Sequence, residues 1–148
     1  MNNFVKVPSQ HELEEKLKAH FGKKITVEVR EDIYFKIFGI WMMLPKGLKS
    51  DGASIPKPLQ FIIDGYDMRI LFFSILHDYF YRTQFVPRQL ADSIYKAGLE
   101  ITANRTIAAS FYYVLRVFGS VAWKNNKKAG LETFPNAQER LKDWICNK

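Results

Sequence analysis

An α+β fold is predicted for this chain: a small antiparallel β-sheet with helices packed on it, and a mostly helical C-terminal half. Three observations predict it. Apolar and polar residues form short β-rich runs between Ile25 and Leu44, apolar residues recur at helical spacing from Tyr66 onward, and Gly or Pro stands where one pattern gives way to the other. At 148 residues the chain is long enough for one core without staples and is expected to form a single domain, residues 1–148.

Ser9-Gln10-His11-Glu12 has the form of a capping box, and Leu13, Leu17 and Phe21 follow at helical spacing until Gly22 can end a first helix. I-T-V-E-V-R from Ile25 and I-Y-F-K-I-F from Ile33, separated by Glu31-Asp32, then read as the two arms of a hairpin. A third apolar run, Ile40 to Leu44, stops at the turn signal Pro45-Lys46-Gly47. From Tyr66 a broad apolar helical face contains Ile70, Leu71, Phe73, Leu76 and Phe80, with His77 turned toward its buried side. Pro87 suits the first turn of the next helix, along which Leu90, Ile94, Ala97 and Ile101 are spaced as a core face. Ile107 to Trp123 is apolar, but it contains Arg116 and Gly119 and falls short of the roughly 20 residues a bilayer crossing needs, so it is read as a central core helix. Pro135 opens a last helix with Leu141, Trp144 and Ile145 on one side.

Composition narrows the function less than the fold. The chain is 47% hydrophobic and 25% charged, which excludes wholesale disorder. One cysteine, Cys146, allows neither an internal disulfide nor a Cys-based zinc knuckle, and a reducing compartment fits best. The start of the chain lacks the basic and apolar regions of a secretory signal, so synthesis in a cytoplasm is expected. Twenty-two Lys and Arg against fifteen Asp and Glu give a formal charge of +7, which favours an anionic substrate or surface. The charges are scattered and no nucleic-acid-binding motif accompanies them, so specific nucleic-acid binding is not expected.

The chemistry concentrates in L-H-D-Y-F-Y-R-T, Leu76 to Thr83. An unpaired buried charge is costly, so a histidine and an aspartate in an apolar helix are satisfied by partners, neutralised or used. His77 and Tyr81, four apart, share a face, while Asp78 points about 100° away. A short Thr83-to-Val86 connection favours an antiparallel return of the Pro87 helix, which brings Asp92 within reach of His77. A carboxylate on one imidazole nitrogen leaves the other free to take a proton from water, which makes His77, Asp92 and Tyr81 the candidate catalytic residues. Asp78, with Asp51 from the S-D-G-A-S loop, is the candidate set for a divalent cation. In that loop Ser54 is read as an ordering group, because no G-x-S-x-G elbow surrounds it.

The order P-x-G, S-D-G-A-S-I-P, L-H-D-Y-F-Y-R and P-R-Q-L-A-D resembles a family of phage and prophage proteins known as domain of unknown function 1353, over roughly Ile40 to Trp123. That resemblance implies a bacteriophage or prophage origin, synthesis in a host cytoplasm and the virion as a further destination; it implies no activity. H-D-Y-F-Y together with the Asp of L-A-D is also locally similar to the active helices of phospholipases A2. By that similarity His77 would activate water, Asp78 would bind calcium, and Tyr81 and Asp92 would orient the imidazole. The expectation is a phage-encoded hydrolase acting on an ester or phosphoester of an anionic lipid or envelope component, with calcium as the first cation to consider. The alternative is a non-enzymatic phage accessory protein, a particle component or host-factor binder, whose His and Asp residues form a buried polar network.

Overall fold

A computed structural model of the chain describes residues 6–21, 25–50 and 68–148. Short β-elements precede the long helices, in agreement with the α+β expectation. Ser9 caps α1 (Gln10–Lys16) by accepting a hydrogen bond from the Glu12 N–H at 3.1 Å. The helix ends at Lys16, five residues earlier than expected, because Leu17–Phe21 forms strand β1. The spacing of Leu13, Leu17 and Phe21 fits both periods: positions four apart share a helical face, and they also share the face of a strand. Pairing with β2 (Ile25–Val29) decides between them.

That pairing also corrects the expected hairpin. β2 lies antiparallel between β1 and β5 (Lys49–Ser50), in the order β1-β2-β5, while β3 (Ile33–Ile37) pairs with β4 (Ile40–Leu44) in a separate two-stranded sheet. β2 and β3 are adjacent in sequence but each finds its partner elsewhere. Asp32, in the break between them, accepts from the Lys46 N–H at 2.8 Å and from both Arg140 Nε and Nη2 at 2.6 and 3.1 Å. A fork of this kind ties the last helix to the sheets.

The helical half runs α2 (Met68–Thr83), α3 (Arg88–Thr102), α4 (Arg105–Ala129) and α5 (Ala137–Cys146). α2 is buried on nearly all sides, from Ile70 to His77 and again from Tyr79 to Tyr81, and packs on both α1 and α3. Gln84 ends it in a left-handed conformation, φ 52°, unusual for a residue with a side chain. Its amide N–H bonds to the Phe80 carbonyl at 2.8 Å, and its side-chain Nε2 donates to the Trp123 carbonyl at 2.7 Å, so tertiary contacts hold the turn. α3 then returns antiparallel, and Gly98 lets its backbone sit on the Phe73 ring, where any Cβ would collide.

Two expected core faces are displaced. In α3 the buried side is Ala91, Asp92, Ile94, Tyr95, Gly98 and Leu99, and Ile101 is exposed. More consequentially, α4 is not a central core helix. Only Ala108 and Gly119 on it are buried, and its Tyr113, Val114, Val117, Phe118 and Val121 face outward. The core is instead centred on α2, which fills the space between the strands and the α3–α4 pair. No helix among the described residues is long and apolar enough to cross a membrane.

Candidate functional site

His77 lies just past the middle of α2 and Asp92 in the second turn of α3, and the antiparallel return brings them together as the sequence predicted. His77 Nε2 is 2.8 Å from Asp92 Oδ1, and the Tyr81 hydroxyl donates to the same oxygen at 2.7 Å. Asp92 has no exposed surface at all, so its charge depends on these partners. α4 supplies another: Arg116 Nη1 donates to Asp92 Oδ2 at 2.8 Å, and Arg88 Nη1 approaches that oxygen at 3.7 Å. Burial opposes the ionised carboxylate, but the bonds from His77, Tyr81 and Arg116 outweigh it. The Asp92 carboxyl is held below the usual carboxylate range. Burial, the bond to Asp92 and the charge of Asp92 push Tyr81 far up, so it remains a phenol and a donor.

With Asp92 ionised and already accepting from Tyr81, the Nε2 of His77 carries the proton and donates. The imidazole also lies against Tyr81 and Tyr95 with the ring planes tilted, centroids at 4.3 and 5.0 Å, and Tyr95 is itself bonded to Ser74 at 3.2 Å. Among the described residues Nδ1 has no hydrogen-bond partner, and no fully buried side-chain nitrogen or oxygen lacks one. Nδ1 is therefore the atom His77 turns toward open space. That space is a cleft of about 1050 Å³, lined by His77, Asp78 and Tyr81 from α2.

The polar face of the three-stranded sheet supplies a second part of the lining. Period-two alternation buries Leu17, Val27 and Val29 and turns Lys18, His20, Thr26 and Glu28 the other way, and all four of these line the cleft. The register sets Lys18, Glu28 and Lys49 in one cross-strand row, two cations flanking one carboxylate. α4 closes a third side with Leu115, Gly119 and Ala122. Arg82 braces the rim: Nη1 reaches Asp78 Oδ2 at 3.0 Å and the Lys49 carbonyl at 2.6 Å, while Nε reaches Glu132 Oε2 at 2.6 Å.

Asp78 lines the cleft, and Arg82 Nη1 donates to its Oδ2 at 3.0 Å. Asp51, the second expected ligand, and Ser54 lie outside the described residues. Among the described residues no group of three or more His, Cys, Asp or Glu side chains is placed to hold a metal ion.

Arg116, Arg88, Gly119 and the row on the sheet were not singled out as site residues from the sequence. Arg116 had a signal: an arginine inside an apolar run has to be matched by a carboxylate or reach solvent, and Asp92 was the unmatched carboxylate. Lys18 and Lys49 had none, since their convergence depends on strand register.

Residues 27–125 match a protein family described as "Protein of unknown function (DUF1353)", a span that holds α2, α3 and most of α4, and so the whole His77–Asp92–Arg116 network. No curated protein and no solved structure matched the chain.

Proposed function

This chain belongs to the DUF1353 family of proteins of unknown function; we propose, from the geometry of its cleft, that it is a hydrolase and, from the resemblance of its spaced motifs, that it is of bacteriophage or prophage origin. The observation that carries the reading is a single imidazole with one nitrogen held by a fully buried carboxylate and the other facing a cleft large enough for a substrate. His77 Nδ1 takes a proton from a water molecule as its oxygen attacks an ester carbonyl or phosphoryl centre. The bond to the leaving oxygen then breaks, and the imidazolium returns the proton to that oxygen. Asp92 stabilises the imidazolium and fixes its tautomer, while Tyr81 and Arg116 hold Asp92 in place.

The substrate class follows from the walls. Lys18 and Lys49 line the same cleft as His77 and suit an anionic head, and Leu115 and Ala122 suit an apolar portion, which together favour an ester or phosphoester of an anionic lipid or envelope component. A divalent cation, calcium first, held by Asp78 and Asp51 belongs to the same proposal; it would polarise the carbonyl or phosphoryl oxygen.

Hydrolysis of anionic and zwitterionic phospholipids and of short soluble esters and phosphodiesters, each with and without calcium, tests the reading. Activity in the parent and a loss of at least about a hundredfold in His77→Asn are expected. Equal rates in the two proteins would remove the proposal. The second reading, a non-enzymatic accessory protein, draws on the three helices that converge on Asp92. Large losses of stability in His77→Asn and Asp92→Asn with no hydrolysis of any substrate favour it.

A further inference from the structure

We propose that the outward face of α4 seats the protein on an anionic lipid surface, with the His77 cleft beside the contact. Tyr113, Val114, Val117, Phe118 and Val121 form one stripe on a single side of the helix, about 12 Å long at 1.5 Å per residue. Tyr113 and Phe118 are each 69% exposed and Val121 63%, so two aromatic rings and three β-branched side chains stand in water next to one another. Single exposed apolar residues are ordinary, but a contiguous stripe marks a contact surface.

Charge identifies what covers it. α4 contains no aspartate or glutamate. Its Arg116 turns inward and is neutralised by Asp92, while Lys124, Lys127 and Lys128 continue the exposed surface beyond Val121. An apolar stripe with a basic end matches an anionic bilayer, where the side chains enter the acyl boundary and the lysines meet headgroups. A second copy of the chain would bring like charges together, and the whole chain carries +7. The convex face of one helix also offers little to a rigid partner and conforms readily to a fluid layer.

Position relative to the cleft gives the contact a use. Phe118 is three residues after Leu115 and four before Ala122, both of which line the cleft, so it stands where the stripe meets the cleft wall. A lipid ester at that boundary has a short path to His77. The inference rests on the hydrolase reading for this purpose, but the contact itself is measurable without turnover.

The experiment is co-sedimentation with vesicles of phosphatidylcholine alone and of equimolar phosphatidylcholine and phosphatidylglycerol, for the parent, Val117→Glu/Val121→Glu, Lys124→Gln/Lys127→Gln/Lys128→Gln, and His77→Asn. Binding to the anionic vesicles is expected to fall at least tenfold in the glutamate variant and by about fivefold per lysine removed in the glutamine variant. His77→Asn is expected to bind like the parent, and the glutamate variant to hydrolyse a short soluble ester at the parent rate. Absence of parent binding to anionic vesicles, or unchanged binding in the glutamate variant, overturns the proposal. So does a concentration-dependent dimer that the glutamate variant dissolves while vesicles remain unbound. Vesicle binding without hydrolysis of any substrate leaves the docking face standing and removes the hydrolase reading, whereas hydrolysis of soluble esters without vesicle binding does the reverse.

Discussion

Tyr81 and Gly119 are fitted to one another: a Cβ on residue 119 would lie 2.5 Å from the Tyr81 hydroxyl oxygen, the atom that donates to Asp92. α4 therefore contributes an absence as well as Arg116, since only a glycine leaves the phenol room to reach the carboxylate that orients His77.

Gly119→Ala is expected to push the Tyr81 hydroxyl off Asp92, costing about 1–3 kcal/mol of stability and slowing hydrolysis. The nearest other atom of Tyr81 would be 3.5 Å from the new Cβ, an ordinary contact, so the hydroxyl is the source of the clash. Tyr81→Phe in the same chain should recover part of the loss. Denaturant unfolding of both single variants and the double variant gives the coupling, expected to exceed roughly 0.5 kcal/mol. Strictly additive effects contradict the account.

Asp92 sets an acid limit. Its folded-state pKa lies below the ordinary value of 3.8, so the ionised network contributes its full stability above that value and loses it as pH falls toward the folded pKa. Asp92→Asn removes this titration and leaves Arg116 without its carboxylate, at a cost near neutral pH of about 3 kcal/mol. The gap in unfolding free energy between parent and variant should close as pH drops below about 4. A gap that stays constant on acidification would place the stabilising charge elsewhere.

Among the described residues Lys18 and Lys49 line the cleft with no ion-pair partner at 4 Å or less, whereas Arg82 is committed to Asp78 and Glu132. Replacing both lysines with glutamine is expected to raise KM for an anionic ester roughly tenfold, leave kcat close to the parent value and spare a neutral ester. Equal effects on both esters would mean that the row positions the sheet and does not read substrate charge.

Much of this architecture was legible in the residues themselves. The run from Met68 to Thr83, the short link to Pro87 and the helix that follows force an antiparallel pair, and the positions of His77, Tyr81 and Asp92 within it are a matter of helical pitch. Local periodicity is sufficient there because the three residues sit on two helices joined by a tight turn, and their meeting needs no distant contact.

Strand pairing, the fate of Leu17 to Phe21 and the outward turn of α4 were decided only in three dimensions. A four-residue apolar spacing serves helix and strand alike, and an alternating segment does not say which other segment completes its hydrogen bonds. Nor does an apolar stripe say whether its own protein will cover it. Those choices depend on total burial: α2 is buried on nearly every side and claims the centre, which leaves α4 to give Arg116 and Gly119 to the site and its valines and aromatic rings to the surface. The sequence determined the pair of polar groups, and tertiary competition for the core determined what surrounds them.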